Sequence, residues 1–472
     1  MNDKKAKLGL WALVAMCVGS MIGSGLFDLP QNVAATTGVV ALFIAWSITF
    51  LGMVCLAKVF QNLSDDYPKL DTGVYAYAKA GLGDYLGFSS AWGYWLSAWI
   101  GNVGYMNILS LSLVLLFPEL VENYNLFPLI FSSAVVWGMT YLCIRGVKSA
   151  SFVNMIATVT KIIPIVILII VMIAGFNYRI FTFDVWQIDD LGSVMSQVKN
   201  MMLVTVWVFI GIEGANVFSS RARSRKDVGR ATVISFMTVF LVLFAVSVLP
   251  FGIMSQAELA ALKEPSTSGV MYAIVGDWGR ILMGVSLVVS VLGALLSWIL
   301  IAAEVPFVAG TKDELFPKPF TTTNKFDAPQ GALIITGVCQ QLYLIIAHYY
   351  ASGYLATIKL STSMILLPYL FSAFYALKVS LGRNGNGYRC RGKIAVGLLA
   401  TIYGIWLLYA AGIKYLLLSS ILYAVGSAVY IVNKRSRNRQ IFINYEKLLF
   451  ITFIILGVIC LVALVNGSIS LS

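Results

Sequence analysis

Gly19-Ser20-Met21-Ile22-Gly23-Ser24-Gly25 interrupts the first apolar segment of the chain, and Trp207-Val208-Phe209-Ile210-Gly211-Ile212-Glu213-Gly214 interrupts the sixth. Glycine costs about 1 kcal/mol in a helix interior relative to alanine, and an unpaired backbone group in hydrocarbon costs several kcal/mol. Helix breaks of this kind persist in a membrane where they line a cavity enclosed by protein. Close packing of helices through small residues is the alternative for either stretch taken alone.

The composition is that of a polytopic membrane protein. Of the 472 residues, 59% are apolar and 11% are charged, whereas roughly a quarter are charged in soluble proteins. The apolar runs are long enough to cross a ~30 Å hydrocarbon core as helices. They predict spans near residues 8–29, 38–60, 84–117, 126–144, 154–175, 197–218, 230–254, 280–309, 330–349, 353–378, 394–410, 414–432 and 447–467. This pattern excludes a soluble multidomain enzyme.

The basic residues predict the orientation of the spans. The net charge is +12, and most Lys and Arg residues fall in the loops on the side of the N-terminus, which predicts a cytoplasmic N-terminus. Residues 1–7 form a short basic stub that we interpret as retained in the cytoplasm and not as a signal peptide. The charge excess is therefore an orientation signal, with anionic lipid as a partner of the basic loops and no nucleic acid implied.

The two interrupted segments open two blocks of five spans each, residues 8–175 and 197–378, and further spans follow at 394–467. Because five is odd, the second block enters the membrane from the opposite face. Interrupted helices at corresponding positions of inverted halves are typical of secondary transporters with a substrate site at the membrane midplane. Freed N–H groups suit a substrate carboxylate, and freed carbonyls suit a cation or an ammonium group.

Several ionisable residues lie inside predicted spans and ask for a functional explanation. Glu213 is the foremost, since a carboxylate at this depth must pair with a cation or carry a proton; a neutral acid held by the broken backbone is the alternative. Lys161 lies too deep to reach the interface easily and is interpreted as a functional or fold-critical group, with a snorkelling lysine as the alternative. Glu304 is either a cytoplasmic-side gate or coupling group, or part of a hydrogen bond between spans. Asp28 follows the first break and is either a cation attractor or a solvated acid at a helix end.

Two tryptophans lie well inside their spans and not at an interface. Tryptophan faces hold guanidinium and ammonium groups by cation–π attraction, worth up to ~2 kcal/mol when desolvated. Trp207 lies across the second break from Glu213, and we interpret it as a binding residue. Trp298 has the same interpretation, with core packing as its alternative.

The sequence gives little support to other classes of function. The single histidine, His348, cannot build a metal site, and no C-x-x-C pair occurs, so no metal or other cofactor is predicted. An intramembrane enzyme would need a nucleophile–base pair or a metal cluster, so an enzyme is not predicted. A channel would show no trans-stimulation, and a receptor would bind without counterflow. The oligomeric state is open, with a homodimer as one option.

The chain resembles the basic amino acid/polyamine antiporter family of bacteria, within the amino acid–polyamine–organocation superfamily. The resemblance covers nearly the whole chain. It is carried by Gly23-Ser24-Gly25 with Pro30, Thr72-Gly73-Val74-Tyr75-Ala76-Tyr77, Tyr94-Trp95-Leu96-Ser97-Ala98-Trp99-Ile100-Gly101-Asn102, Trp207 to Glu213, the basic stretch Ser219 to Arg230, Lys312-Asp313-Glu314-Leu315-Phe316-Pro317-Lys318, and Pro368-Tyr369. It implies an all-α, LeuT-like fold of two inverted five-helix repeats with helices 1 and 6 broken, followed by two or three further spans.

The closest pattern is that of arginine/ornithine and arginine/agmatine exchangers, and it implies roles for individual residues. By this likeness the substrate would contact Met21, Ser24 and Gly25 with its carboxylate and amino groups, and Ser97, Ala98, Asn102, Trp207, Ile210, Trp298 and Ser361 with its side chain. Tyr94, Glu213 and Tyr369 would form a gate near the site. Lys161 matches a lysine that replaces the sodium ion beside the first break in sodium-independent members of the superfamily.

The resemblance implies a bacterial inner-membrane antiporter that exchanges a basic amino acid for a related amino acid or amine by alternating access without sodium. Arginine for ornithine is the first choice; lysine/cadaverine, histidine/histamine and tyrosine/tyramine exchange and a proton-coupled permease are the alternatives. Four positions depart from the arginine/agmatine pattern. Ser20 replaces asparagine, Ser97-Ala98 replaces Ala-Cys, and Tyr105 replaces methionine.

Overall fold

A computed structural model describes residues 9–70, 73–116, 119, 125–183, 185–213, 223–349, 353–382 and 391–469. Every regular element within these ranges is helical, as the apolar runs predict. The predicted stub 1–7 and Gly214 lie outside the described residues.

The first part of the chain forms a bundle of long helices and two short ones. Its elements are α1 (Leu10–Met21), α2 (Leu29–Ala34), α3 (Val39–Asp66), α4 (Val74–Leu82), α5 (Asp84–Leu116), α6 (Phe127–Arg145) and α7 (Val147–Ala174). Helix α1 covers the first half of the predicted span 8–29, and α2 begins where that span was expected to end. The glycine- and serine-rich stretch 19–25 begins in the last turn of α1 and continues into the non-helical segment that follows. The predicted break in the first span is therefore present.

The second part begins with two short helices and continues with long ones. Its elements are α8 (Tyr178–Phe181), α9 (Ile188–Leu191), α10 (Val194–Trp207), α11 (Arg225–Val248), α12 (Gln256–Ala260), α13 (Ser266–Val275), α14 (Asp277–Asp313), α15 (Gln330–Tyr349), α16 (Tyr354–Ser380), α17 (Arg391–Ser436) and α18 (Asn444–Val465), with 3₁₀ turns at Leu249–Gly252 and Lys318–Thr321. Within α17, Gly412 has φ 76° and ψ 158°, so two helices meet there, between the predicted spans 394–410 and 414–432.

The helices are those of a multi-pass membrane protein. In the described part of the chain, eight helices are long and apolar enough to cross a membrane, and α17 counts as one of them. Helices α1 and α10 are shorter because each ends at a predicted break. Helices α14 and α16 are largely buried, whereas α18 is mostly exposed and apolar, as suits a helix in contact with hydrocarbon.

Helix packing repeats along the chain with a period of five spans. Numbering the spans in order, α1 (span 1) packs on α11 (span 7), and α10 (span 6) packs on α3 (span 2). Likewise α5 (span 3) packs on α16 (span 10), and α14 (span 8) packs on α7 (span 5). Each contact thus has a counterpart five spans away, as two five-span repeats predict. The boundaries at residues 175 and 197 stay a prediction.

Candidate functional site

The carbonyl groups freed at the first break are bound by a buried lysine. Helix α1 ends at Met21, and the helix resumes only at Leu29. Midway along α7, Lys161 is 1% exposed, and its ammonium group donates to the carbonyl oxygen of Gly19 at 2.8 Å and to that of Ile22. A cation is thus held by backbone carbonyls at a helix C-terminus, where the helix dipole also favours positive charge.

Two side chains of α14 bind further carbonyl groups at the same break. The indole N–H of Trp298 donates to the carbonyl oxygen of Ser20 at 3.1 Å. The Ser290 hydroxyl donates to Ile22 at 3.4 Å and to Gly23 at 3.3 Å. Every one of these carbonyls has lost its helical partner and gained a side-chain donor, which satisfies the backbone in a region without water.

The N–H groups that follow the break remain open to a ligand. Among the residues that the structure describes, the backbone N–H groups of Ser24, Gly25 and Leu26 have no acceptor. Unpaired N–H groups on adjacent residues form a concave donor set that binds a carboxylate or another anion. At the first break, the carbonyl groups before it are hydrogen-bonded to side chains, and the N–H groups after it are free to bind a ligand.

The second break begins where α10 ends at Trp207. The chain then continues in turns through Glu213, and Gly211 has φ 109°, a left-handed conformation that glycine adopts without steric cost. A Cβ at Gly211 would lie 3.0 Å from the Ser20 hydroxyl and 3.3 Å from the Trp298 ring. The two breaks therefore meet at this point, and a larger residue would push them apart.

The Glu213 carboxylate is fully buried and fully hydrogen-bonded. The Tyr94 hydroxyl donates to one oxygen at 2.6 Å, and the Tyr369 hydroxyl donates to the other at 2.7 Å. The backbone N–H groups of Gly211 and Glu213 add two more hydrogen bonds. Short charge-assisted bonds of this kind compensate the cost of burying a carboxylate. The three predicted gate residues are thus in mutual contact.

A small cavity of about 20 Å³ lies between the two breaks, α5 and α14. It is lined by Met21, Gly23, Gly25, Ser97, Ala98, Gly101, Asn102, Tyr105, Trp207, Val208, Ile210 and Trp298. Its walls are mainly apolar and aromatic with few polar groups, which is typical of a small-molecule site. Most residues that the resemblance places around the substrate are thus on the wall of one cavity.

Asn102 is the polar group that most clearly lacks a partner. It is 1% exposed, and neither the oxygen nor the nitrogen of its amide has a hydrogen-bond partner within the described residues. A buried amide without partners costs roughly 1–3 kcal/mol. Because it lines the cavity, the natural compensation is a polar ligand.

Two of the expected substrate contacts lie behind the wall of the cavity. The Ser24 hydroxyl is hydrogen-bonded to the Tyr354 hydroxyl at 3.0 Å. The Ser361 hydroxyl donates to the carbonyl oxygen of Ser97 at 2.7 Å. Ser24 can still bind a ligand through its backbone N–H group. Ser361 instead contacts α5, whose residues line the cavity.

Four lining residues were not among the predicted contacts: Gly23, Gly101, Tyr105 and Val208. A Cβ at Gly101 would lie 3.1 Å from the Trp207 ring, so glycine lets that ring approach α5. A Cβ at Gly23 would lie 2.2 Å from the Tyr105 hydroxyl, so this tyrosine reaches to the first break. The sequence did contain a sign of Gly101: it is a glycine inside a long apolar span, directly before Asn102.

Two tyrosines of one helix contact the two breaks, and neither of them lines the cavity. Tyr354 begins α16 and contacts Ser24, whereas Tyr369 contacts Glu213 further along the same helix. These two tyrosines are separated by about 22 Å along the axis at 1.5 Å per residue. Glu304 lies at neither contact; it is half-buried in α14, beyond Trp298, and does not line the cavity.

A bundle with two broken helices that enclose a partly polar cavity defines a secondary membrane transporter, since irregular backbone at membrane depth persists around such a site. The chain belongs to the amino acid permease family, which matches residues 8–458.

Its curated relatives are similar over nearly their whole length. The chain is 47% identical to an arginine/ornithine antiporter of Pseudomonas aeruginosa, with 100% of each chain covered. It is 39% identical to an L-lysine transport protein of Corynebacterium glutamicum, covering 97% of this chain and 95% of that protein. It is also 39% identical to an arginine/agmatine antiporter of Chlamydia felis, covering 96% of this chain and 95% of the relative.

A solved structure shares the fold. The substrate-bound, outward-open state of a Na+-coupled sialic acid symporter matches with a TM-score of 0.52 and 13% sequence identity. The match covers 88% of this chain and 91% of that chain. The predicted LeuT-like fold class is thereby confirmed, and at this identity the likeness speaks for the fold alone.

Proposed function

We propose that this permease exchanges a basic amino acid for a related amino acid or amine by alternating access without sodium, with arginine and ornithine as the substrate pair. The observation that carries the proposal is the cavity at the two helix breaks, where free N–H groups, an unpartnered amide and two tryptophan faces converge. The substrate enters and leaves chemically unchanged, so the protein is a carrier and not an enzyme, and no cofactor is needed.

The amino acid head group fits the first break. The free N–H groups of Ser24, Gly25 and Leu26 suit its carboxylate. Trp207 closes tightly on this place, since a Cβ at Gly25 would lie 2.8 Å from the Trp207 indole nitrogen. The site is thus built for a small anion beside an aromatic wall.

The cationic side chain of the substrate fits the other end of the cavity. The Asn102 amide oxygen can accept from an ammonium or guanidinium group. The faces of Trp207 and Trp298 attract the same cations by up to ~2 kcal/mol each when desolvated. Met21, Ala98 and Ile210 supply the apolar contacts for its methylene groups.

Lysine is the second candidate substrate. The L-lysine transport protein of Corynebacterium glutamicum shares 39% identity with this chain over nearly the whole length. A lysine ammonium and an arginine guanidinium use the same amide oxygen and aromatic faces, and they differ in planarity and in number of donors. Both belong in any substrate panel.

Glu213 with Tyr94 and Tyr369 would act as the gate at the end of the cavity opposite Tyr354. The site would face one side of the membrane when this contact opens and the other side when the Tyr354 and Ser24 contact opens. Glu304 is a candidate coupling group on the same side as Glu213, because it follows Trp298 in α14.

The proposed setting is the bacterial inner membrane with a cytoplasmic N-terminus. The basic loops support this orientation by the positive-inside rule. The exposed apolar surface, which is largest on α18, would contact lipid, and a homodimer is a further prediction of the same surface. We propose residues 8–175 and 197–378 as the two inverted repeats and 394–467 as the additional spans.

Counterflow in proteoliposomes tests this function. Liposomes loaded with arginine, lysine, ornithine, agmatine, cadaverine, histidine or tyrosine are placed in a trace of labelled arginine. Uptake above that of empty liposomes, strongest with arginine or ornithine inside, is the expected result. Uptake independent of the internal solute would indicate a channel or a uniporter, and a proton-coupled permease would take up arginine into empty liposomes under a pH gradient.

A further inference from the structure

A pair of carboxyl groups lies next to the first break at the end of the cavity away from Glu213. Asp28 precedes the first residue of α2, its side chain makes no capping hydrogen bond, and it is fully buried, so it is not the solvated acid that the sequence allowed. Its carboxylate accepts from the Asn32 amide at 3.1 Å and from the Ser266 backbone N–H at 3.3 Å. The half-buried Glu264, between α12 and α13, is hydrogen-bonded to Asp28 through its own carboxyl group.

A hydrogen bond between two carboxyl groups requires a proton, since an ionised carboxylate only accepts. A pair that shares such a bond holds one proton between its two carboxyl groups and carries one negative charge. Burial raises the pKa of the Glu264 carboxyl above its usual value, which favours the protonated form. Within the described residues, neither Asp28 nor Glu264 forms an ion pair with a lysine or an arginine.

A third acceptor at the pair has no partner. Asn32 is 2% exposed, and while its amide nitrogen donates to Asp28, its amide oxygen lacks a donor in the described part of the chain. Asp28 has neutral donors from Asn32 and Ser266, but the cluster of two carboxyl groups and one unpartnered amide oxygen has no cationic partner among the described residues. Its complement is a group that only donates, such as an ammonium or a guanidinium.

This cluster lies close in sequence to the cavity wall and acts on a residue bound to the first break. Asp28 follows Gly25, which lines the cavity, by three positions, and its charge acts on the Tyr354 hydroxyl. That hydroxyl is hydrogen-bonded to Ser24 at 3.0 Å. Glu264 is partly exposed and is hydrogen-bonded to the buried Asp28, so the pair lies between the surface and the first break.

We infer that Asp28, Glu264 and Asn32 form an outer subsite for the ammonium or guanidinium group of the substrate, which binds there before it enters the cavity. The inference deepens the proposed function and rests on it. An arriving cation takes the place of the shared proton, which leaves to the external water. The pair takes a proton back when the cation moves inward, so one transport step consumes no net proton.

Few other titratable groups face the pair. Tyr354 approaches from α16, and its hydroxyl is already held by Ser24. On α12, Glu258 is engaged with Ser255 in a capping box, and Lys263, next to Glu264, is exposed. External pH is therefore expected to act on substrate binding here mainly through the Asp28 and Glu264 pair.

The test compares Asp28→Asn and Glu264→Gln with the matched control Glu258→Gln, which removes a carboxylate from the same outer segment and leaves the subsite intact. Arginine exchange is measured in proteoliposomes of known orientation, with KM determined separately for the external and the internal face. Both subsite variants should raise the external KM about tenfold and leave the internal KM unchanged. In the parent protein the external KM should fall as the external pH rises, and each subsite variant should lose this dependence.

The outcomes separate the subsite from the proposed function. If the parent exchanges arginine and the external KM of both variants equals that of Glu258→Gln, the subsite is wrong and the exchanger stands. A rise of both KM values together would likewise reject the subsite, because a general structural defect acts on both faces. A parent without counterflow for any basic substrate removes the proposed function and the subsite with it. If Asp28→Asn fails to fold, the external KM of Glu264→Gln alone tests the subsite, because Glu264 is only half-buried.

Discussion

The ammonium group of Lys161 lies 2.8 Å from the carbonyl oxygen of Gly19, at the C-terminal end of α1. It also donates to Ile22, and so it occupies carbonyl groups that a broken helix would otherwise offer to a metal cation. In transporters with broken helices, unwound carbonyls of this kind coordinate sodium. Here the ammonium group of a side chain is bound to two such carbonyls.

Sodium should therefore have no effect on transport. Replacing sodium chloride with choline chloride on both sides of proteoliposomes is expected to leave the initial rate of arginine exchange unchanged, because Lys161 already satisfies the carbonyls at the break. The measurement is labelled arginine uptake at equal ionic strength. Stimulation by sodium of twofold or more would contradict the assignment of Lys161.

Lys161→Met should abolish most of the transport. Methionine keeps the length of the side chain and removes the ammonium group, so two buried carbonyls lose a donor at a cost of about 1–3 kcal/mol each. We expect at least a tenfold fall in exchange rate together with a lower thermal unfolding temperature in detergent. Lys318→Met, which changes an exposed lysine, is the control. Equal behaviour of both variants would mean that the buried ammonium is dispensable.

Part of this site could be predicted from sequence because its residues are unusual inside apolar membrane spans. Glycines and lone charges inside apolar spans cost free energy, and the residues that carry that cost, Lys161 and Glu213, are the ones that meet the broken helices. The resemblance also brought together Tyr94, Glu213 and Tyr369, but other contacts between distant segments could not be predicted. Nothing in the local pattern pairs Ser24 with Tyr354, or Asp28 with Glu264, because a hydroxyl or a carboxyl fits many neighbours until the fold selects one.

Tyr369→Phe should slow transport more than it weakens binding. The variant removes one of the two tyrosine hydroxyls from the buried Glu213 carboxylate, and a hydrogen bond to a charged group contributes about 1.5–3 kcal/mol. Because Tyr369 lies outside the cavity wall, we expect about a tenfold fall in maximal exchange rate with less than a threefold change in KM. The control is Tyr141→Phe, which removes an exposed hydroxyl. A change in KM alone would place Tyr369 in substrate binding instead.

Tyr105 should influence which substrate fits. Its hydroxyl reaches Gly23, and its ring packs edge-on against Trp207 with centroids 6.0 Å apart, so it fills part of the cavity. Tyr105→Met would enlarge the cavity and shift the ratio of kcat/KM for arginine over ornithine upwards about tenfold, since small size differences in a pocket are worth about 1–3 kcal/mol. Tyr105→Phe keeps the ring and loses the hydroxyl. If both variants shift the ratio equally, the hydroxyl and not the ring volume sets the preference.

Asn102 allows binding and stability to be separated in one experiment. Its amide has no partner in the described chain, so Asn102→Leu removes an uncompensated buried polar group and should raise the free energy of unfolding of the empty protein by about 1–3 kcal/mol. The same change removes a ligand contact and should weaken arginine binding at least tenfold.

Gln340→Leu is the matched control, because the Gln340 amide on α15 is also buried without a partner in the described residues and lies away from the cavity. It should stabilise the protein and leave arginine affinity unchanged. Thermal unfolding in detergent and binding of labelled arginine measure the two quantities, and a loss of stability in Asn102→Leu would show that its amide is satisfied within the protein and is not reserved for substrate.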